Sequence, residues 1–344
     1  MVKLIAILIR FIISRVVVII DQDMEIVKYE PSRKDEWDSF VLRSNNGTMF
    51  HLQHFLDYHE DNKFPFHHLM FYKNGQLRAV LPGGLDRLNI YESPAGASYG
   101  SFVIGDIHFN ETLEIIDLFE DYCWDEGIRE VYLTSAPFIY QKELSHNLEY
   151  ALLYRGFVYQ RHYISHVIRL HETDDILKSF QKTTRNIIRR SLRQDVLSIE
   201  ESDSYEEFYP ILVKNKRKHN AEPTHTLDEL KLLRKLNGDL IRLFLVRYEG
   251  KAIGGVVTFH CNDNVLLCFY IAMLYEYQHL RPIYRAVYEV ITRAKKDGYK
   301  FLDTGVSQDT RAENPMTPSL DLIFFKEKFN SRGILRSTFW KKLK

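Results

Sequence analysis

Arg281-Pro282 opens a run of helical periodicity that ends in Lys296-Asp297-Gly298, and Tyr299-Lys300-Phe301-Leu302-Asp303-Thr304-Gly305 follows it. Upstream, residues 264–274 form a mostly apolar run with strand character. Downstream, after a loop, comes Phe324-Phe325-Lys326-Glu327-Lys328-Phe329. The pattern therefore predicts strand, polar loop, helix and strand. Proline suits the first helical position and glycine the end of a helix. A strand that feeds a helix N-terminus, with a second strand beside it, aims free backbone N–H groups at one spot, as phosphate binding requires.

A weaker copy of this unit lies earlier. Helices are predicted over 34–43 and 51–59, then strands over 68–72 and 76–82 around the Asn74-Gly75 turn. The Gly/Ser-rich loop Ser93-Pro94-Ala95-Gly96-Ala97-Ser98-Tyr99-Gly100 follows, then a helix over 111–126 that stops before Gly127, and a strand over 129–134. The second half repeats the order, with strands 243–247 and 252–259 paired around Glu249-Gly250. Gly75-Gln76-Leu77-Arg78-Ala79-Val80 resembles Gly250-Lys251-Ala252-Ile253-Gly254-Gly255, and Asp125-Glu126-Gly127 resembles Lys296-Asp297-Gly298. The marker glycines are 52 residues apart in the first half and 48 in the second. The expected fold is α/β: two tandem modules of mixed sheet flanked by helices, over 24–165 and 166–344, after an apolar segment 1–23. A helical connector is expected between them, with a basic helix over 174–193 and further helices over 205–215 and 227–236.

Length and composition agree with two cores. The chain has 344 residues, 45% of them apolar, with 22 Phe and 21 Tyr, which is unlike a disordered chain. Lys+Arg and Asp+Glu balance at 46 each, which argues against bulk nucleic-acid binding, and DNA in particular, while permitting a local basic patch. Cys123, Cys261 and Cys268 are odd in number and lack a CxxC, so a reducing cytoplasm is the expected compartment. Residues 4–20 are nearly all apolar, but Arg10 and Arg15 interrupt them. Each such arginine costs roughly 2.5–3.5 kcal/mol at the centre of a spanning helix. Three readings stand: translation begins at Met24, the segment lies on a membrane surface, or it is an anchor.

The 174–193 stretch is the clearest charge pattern. At 100° per residue Lys178, Lys182, Arg185, Arg189 and Arg193 fall within a stripe of about 80°, with Leu177, Phe180, Thr184, Ile187, Ile188 and Ser191 on the other side. Thr173 is the expected cap, with Asp174 and Asp175 at the positive end of the dipole. Surface helices normally mix both signs, because like charges four apart repel. An unmixed stripe points to an anion: nucleotide phosphates, RNA, or an acidic lipid or glycan surface. A solvated polar face is the plainer alternative. His51, His54, His59, His67 and His68 include a pair three residues apart, but no HExxH, so packing or a surface role is expected and metal or substrate contact is the lesser reading. The Ser93–Gly100 loop lacks the P-loop and GxGxxG patterns. It is either a close-approach loop lining a substrate cleft or a structural turn. No GxSxG is present, and the cysteines sit in apolar contexts, so nucleophilic catalysis has no support.

The ordered set resembles the FemAB-like, or BioF2-like, branch of the GNAT acyltransferase superfamily, whose members carry two GNAT-like modules in tandem. Lys182-Thr183-Thr184-Arg185-Asn186-Ile187-Ile188-Arg189-Arg190-Ser191 looks like the family's basic helix. Asp303-Thr304-Gly305 with Phe325-Lys326-Glu327-Lys328-Phe329 looks like its closing motif, with Asn330 where glycine is usual. Gly47-Thr48-Met49-Phe50-His51, Phe55-Leu56 and Ala79-Val80-Leu81-Pro82 are similar to its first-module pattern. Ordinary GNAT enzymes cradle pyrophosphate with Q/R-x-x-G-x-G/A. The equivalent Tyr277-Gln278-His279-Leu280-Arg281-Pro282 has no glycine, and Arg281 can replace lost amide contacts with a charge-assisted bond.

What the resemblance implies is amide formation. An amine attacks an activated acyl carbonyl supplied as a co-substrate by acyl-CoA, or by aminoacyl-tRNA in the peptidoglycan-bridge branch. No permanently bound cofactor or metal is needed. The amine must lose a proton, and the tetrahedral oxyanion needs donors. Candidate bases are Asp303, Glu276 and His279. By analogy Lys326 meets phosphate or developing negative charge. Gln278, His279, Arg281 and Phe325 are candidate donor contacts, and Lys182, Arg185, Arg189, Tyr99 and Tyr270 candidate anion or substrate contacts. The expected function is an N-acyltransferase acting on an amine of a small molecule, or of a nucleotide- or lipid-linked sugar or other cell-envelope precursor. The alternatives are an aminoacyl-tRNA-dependent transferase and a non-catalytic binder of anionic polymer or RNA.

Overall fold

The computed structural model describes residues 24–60, 63–218, 220–309 and 312–343. The apolar segment 1–23 lies outside the described residues. The first half comprises β1 (Glu25–Lys28), α1 (Lys34–Arg43), α2 (Gln53–Leu56), β2 (Leu69–Lys73), β3 (Gln76–Leu81), β4 (Gly84–Leu85), β5 (Ile90–Ser93), β6 (Val103–Ile104), α3 (Phe109–Asp125), β7 (Glu130–Thr134) and α4 (Asn147–Tyr154). β8 (Val158–Arg169) leads into α5 (Ile176–Ser179), α6 (Lys182–Gln194), β9 (Leu197–Ser202), α7 (Tyr205–Lys218) and α8 (Leu227–Asn237). The chain closes with β10 (Ile241–Tyr248), β11 (Lys251–Asn262), β12 (Val265–Met273), α9 (Pro282–Lys296), β13 (Phe301–Val306), α10 (Leu320–Glu327) and β14 (Arg332–Lys342).

Two sheets result. A four-stranded sheet runs β1-β2-β3-β6, and a ten-stranded mixed sheet runs β4-β5-β7-β14-β8-β13-β12-β11-β10-β9. The same unit occurs twice in the larger sheet. β5 pairs in parallel with β7 after a crossover through α3, and β12 pairs in parallel with β13 after a crossover through α9. Between these units sit β8 and β14, antiparallel to each other, and β14 also pairs with β7. The chain's last strand thus returns to the first half and closes the seam. The boundary expected at 165/166 falls inside β8.

α9 shows how the sequence builds this. Pro282 opens it, and Ile283, Ala286, Val287, Val290, Ile291 and Ala294 form its buried face. Arg285–Glu289 and Glu289–Arg293 ion pairs lie on the other face at i,i+4 spacing. That buried face covers one side of β9–β12, and α7 covers β11 and β12 from the other. β11 is consequently buried from Ala252 to Phe259 and reads as one apolar run instead of alternating.

Two expected helices are corrected. The run 174–193 is two helices. Phe180 is extended and buries its ring 5.4 Å from Phe329, while the Gln181 N–H bonds the Lys328 carbonyl, so the chain resets before α6. Asp175, not Thr173, caps α5 by accepting from the Leu177 N–H at 3.1 Å. The run 51–59 is a 3-10 turn, Met49–His51, followed by the single turn of α2. Here the His51 ring reaches back to the Thr48 N–H at 3.0 Å and Leu52 is extended, which delays the helix.

Candidate active site

β12 and β13 pair only over Val265↔Phe301, Leu266↔Leu302 and Leu267↔Asp303. β12 then continues to Met273 paired with β11 and no longer with β13, while β13 resumes with β8 at Val306↔Ser165. The two parallel strands therefore part at Asp303. On the facing strand, Val257 pairs with Tyr270 and Thr258 with Cys268, so Phe269 is a bulge with no opposite residue on β11. Gly305 turns the departing strand at φ +77°. The split thus has an irregular main chain on each wall, in a sheet otherwise fully paired there.

Asp303, fully buried, stands at the branch point. Its carboxylate accepts from the Gly305 N–H at 2.7 Å, the Ser165 hydroxyl, and the Tyr140 hydroxyl at 2.8 Å, with the Tyr99 hydroxyl at 3.5 Å. Burial, then the charge of Asp303, holds both phenols well above the usual tyrosine range, so they stay protonated donors. Lys326 lies just beyond, 5% exposed. Its ammonium donates to the carbonyls of Gly305 at 2.7 Å and Val306 at 2.9 Å, and to the Ser307 hydroxyl at 2.9 Å. Burial pulls it down to about 8, partly opposed by Asp303. Ser307, having accepted from Lys326, gives its own hydrogen to His166 Nδ1 at 2.8 Å. Burial, then the Lys326 charge, pulls His166 down, so this histidine is neutral at pH 7. Arg336 completes the site, its guanidinium 5.2 Å from the Tyr99 ring centroid and 5.4 Å from that of Tyr163, with a buried Nε that has no acceptor.

The structure brings Lys326, Asp303 and Tyr99 together. Tyr270 is buried, and its hydroxyl is committed to His225 Nδ1 at 2.9 Å; His225 lines an aromatic cavity of about 270 Å³ with Phe50, Phe55, Tyr58, Phe259 and Phe269. The residues expected from sequence to meet the donor lie on a separate turn. Glu276, Gln278, His279 and Arg281 are exposed on a 3-10 turn, and Glu276 pairs with Lys214 at 3.1 Å. Arg281 adopts φ +56°, the left-handed geometry that glycine takes most easily. The turn that a glycine-rich loop would make is therefore present without the glycine. Phe325 packs 5.4 Å from Tyr284 in the first turn of α9.

α6 lies against α9 through Thr184, Ile188 and Ser191. Lys182, Arg189, Arg190 and Arg193 are exposed and have no ion pair among the described residues, while Arg185 donates to the Lys178 carbonyl at 3.0 Å. α6 runs into β9, whose Leu197 faces Tyr248, and the Tyr248 ring lies 6.0 Å from that of Tyr277 in the donor loop. The C-terminal end of the basic helix is thus on the donor-loop side. The histidine stretch has other duties: His51, His54, His59, His67 and His68 each bond a backbone group or a tyrosine. Sequence reading missed Tyr140, Ser165, His166 and Arg336. Ser165, His166 and Arg336 lie on strands it did not anticipate, and Tyr140 on a turn with no pattern of its own.

A strand pair that opens beside a helix N-terminus is the arrangement in which acyltransferases hold a donor. Residues 178–311 match the family described as an acetyltransferase (GNAT) domain. This stretch has the GNAT fold. The GNAT match spans α6 through β13 and so contains the bulge, the split and Asp303. At the level of the whole chain, the solved structure of FemX superposes with a TM-score of 0.69 at 13% identity, covering 92% of this chain and 97% of FemX. L-PGS from Bacillus licheniformis gives 0.56 at 8% identity, covering 90% and 91%. A tandem GNAT protein from the clavulanic acid biosynthesis pathway gives 0.54 at 8% identity, covering 94% and 99%. These likenesses show the tandem GNAT fold. No curated protein sequence matches the chain. Among the described residues no helix is long and apolar enough to cross a membrane.

Proposed function

We propose that this protein is an N-acyltransferase that joins an activated acyl group, carried by acyl-CoA, to an amine on a small molecule or a cell-envelope or glycan precursor. The observation that carries the reading is the parting of β12 and β13 at Asp303 opposite the bulge at Phe269. The donor's acyl arm occupies the split, and its phosphates face the start of α9, where Ile283 presents its N–H beside Arg281, the Tyr284 N–H being bonded to the Arg281 carbonyl at 3.1 Å. The amine's nitrogen attacks the thioester carbon. A C–N bond forms, the carbonyl oxygen becomes an oxyanion, and its collapse breaks the C–S bond. The Phe269 amide, free of the β11 ladder, is the oxyanion donor in this reading.

The proton lost by the amine passes to Asp303 through a tyrosine hydroxyl, Tyr99 or Tyr140, which takes one proton as it gives up another. Lys326 acts through its charge and by fixing the Gly305 turn, because all three of its hydrogens are engaged. The test is thermal stabilisation by CoA and acetyl-CoA. A ligand at a hundred times its Kd adds about 2.7 kcal/mol to folding stability. No shift with either compound at millimolar concentration would reject acyl-CoA as donor.

A second reading, an aminoacyl-tRNA donor, has one observation in its favour. Four cations with no ion pair among the described residues lie along α6, which at 1.5 Å per residue is about 20 Å long and has its C-terminal end towards Tyr277. If they grip a single-stranded acceptor end, log Kd against log salt should have a slope of roughly 3. Arg189→Glu with Arg190→Glu should remove about half of it, whereas binding of CoA alone would change far less.

A further inference from the structure

β14 has an open edge. From Thr338 to Lys342 it pairs with β7, but β7 ends at Thr134, and from Arg332 to Ser337 the strand is paired, among the described residues, only on its β8 side. Ser135 makes a last contact, its N–H donating to the Ser337 carbonyl at 3.1 Å. Backbone groups alternate between the two edges of an antiparallel strand. With Ser337 directed at the β7 side, Leu335 and Gly333 point their N–H and C=O groups the same way, while Arg336, Ile334 and Arg332 bond β8. The segment 135–141 swings away from this edge and leaves a cavity of about 550 Å³ between itself and residues 333–337. Its other walls include Phe138, Leu148, Tyr159 and Phe339. The ionisable groups here are already committed. Glu149 bonds His146 and Tyr159, each at 2.6 Å, and His162 Nδ1 bonds the Ser337 hydroxyl at 3.0 Å.

We infer that this cavity receives an extended peptide, uncharged over about three to four residues, which adds to the sheet as a strand along Leu335 and Gly333. An extended chain with regularly spaced amides matches donors and acceptors that repeat every second residue. Apolar walls with their charges paired favour small or apolar side chains facing the cavity. The inference rests on edge geometry and not on acyl transfer at the β12/β13 split, so either can fail alone.

The test is amide hydrogen exchange, resolved to single residues by NMR, on the full chain. The probe is a pool of N-acetylated, C-amidated tetrapeptides drawn from Ala, Leu, Phe, Ser and Thr. Leu335 and Gly333 should exchange freely alone and slow at least tenfold with the pool, while Ile334 and Arg336, already bonded to β8, change less than twofold. Leu335→Pro removes an N–H that takes no part in the β8 ladder. It should weaken binding at least tenfold while far-UV circular dichroism stays unchanged. If that variant does not fold, the same peptides N-methylated at alternate amides serve instead, and should lose the protection. Protection of Leu335 and Gly333 before any peptide is added, no slowing with the pool at millimolar concentration, or slowing by CoA and not by peptides would each overturn the assignment.

Discussion

Replacing Lys326 with methionine should make the protein's stability lose a specific dependence on pH. In the folded chain Lys326 is pulled down to about 8 from its ordinary 10.5, with burial as the main cause. Between these values the unfolded chain holds a proton that the folded chain has released. Stability therefore rises with pH across this window: the contribution is complete above 10.5 and lost as pH falls through 8. One pKa unit corresponds to 1.36 kcal/mol, so the full swing is about 3 kcal/mol, with a maximal slope of about 1.4 kcal/mol per pH unit. Lys326→Met carries no such proton. The difference in unfolding free energy, wild type minus variant, isolates this residue from the lysines and tyrosines that titrate in both.

Urea melts followed by fluorescence of Trp37, Trp124 and Trp340 at half-unit steps from pH 7 to 10.5 give that difference. It should climb by about 3 kcal/mol towards alkaline pH. At the alkaline end the wild type should be the more stable by about 1–3 kcal/mol, because methionine leaves buried acceptors without a donor. Asp303 opposes the shift, so in an Asp303→Asn background the climb should begin at lower pH. A difference that stays flat within about 0.5 kcal/mol, or falls with pH, would refute both the burial argument and the hydrogen-bonded geometry of Lys326.

Asp303→Asn should cost about 1.5–3 kcal/mol, since a charged acceptor of bonds from Tyr140, Ser165 and Gly305 becomes an amide that also carries donors, and turnover with any amine substrate should be lost; urea melts and single-turnover rates measure the two effects separately. Arg281→Gly should raise stability by about 0.5–1 kcal/mol in a thermal melt, because the left-handed φ of +56° strains an L side chain, and the same variant should weaken CoA binding if the guanidinium meets phosphate. Gly47→Ala should cost at least about 2 kcal/mol by overpacking, since its Cβ would sit 2.0 Å from the Val41 carbonyl oxygen, and a melt within 0.5 kcal/mol of wild type would show that this turn yields easily.

The parts of the fold that were legible share one property: their signal is local. α1 was expected over 34–43 and occupies Lys34–Arg43, because its apolar spacing and the turn after it lie within one window. β12, α9 and β13 were legible for the same reason. Pro282 and Gly298 mark the ends of α9, and its buried positions repeat at helical spacing. β8 and β14 gave no such signal. Their sequences mix histidine, tyrosine and arginine with aliphatics, and both are half-exposed along much of their length. What makes them strands is each other, from Arg332↔Val167 to Trp340↔Val158, across more than 160 residues.

The candidate site inherits the same division. Lys326 and Asp303 were found through short motifs, but the groups that set their chemistry come from far along the chain. Tyr140 is 163 residues from Asp303, and Ser165 is 138. No short window of sequence contains both this carboxylate and the hydroxyls that hold it; of its donors the Gly305 N–H alone is local. The donor loop shows the converse. The absence of glycine from Tyr277 to Pro282 reads as a missing phosphate turn, yet Arg281 takes the left-handed geometry itself. A few kilocalories of helix and sheet packing on either side outweigh the strain of about 1–2 kcal/mol at one residue. Residue type at a turn therefore reports the cost of a conformation, not whether the fold adopts it. On that argument the loop proposed to meet the donor is to be judged by its backbone, which still turns into α9 with a cation at the corner.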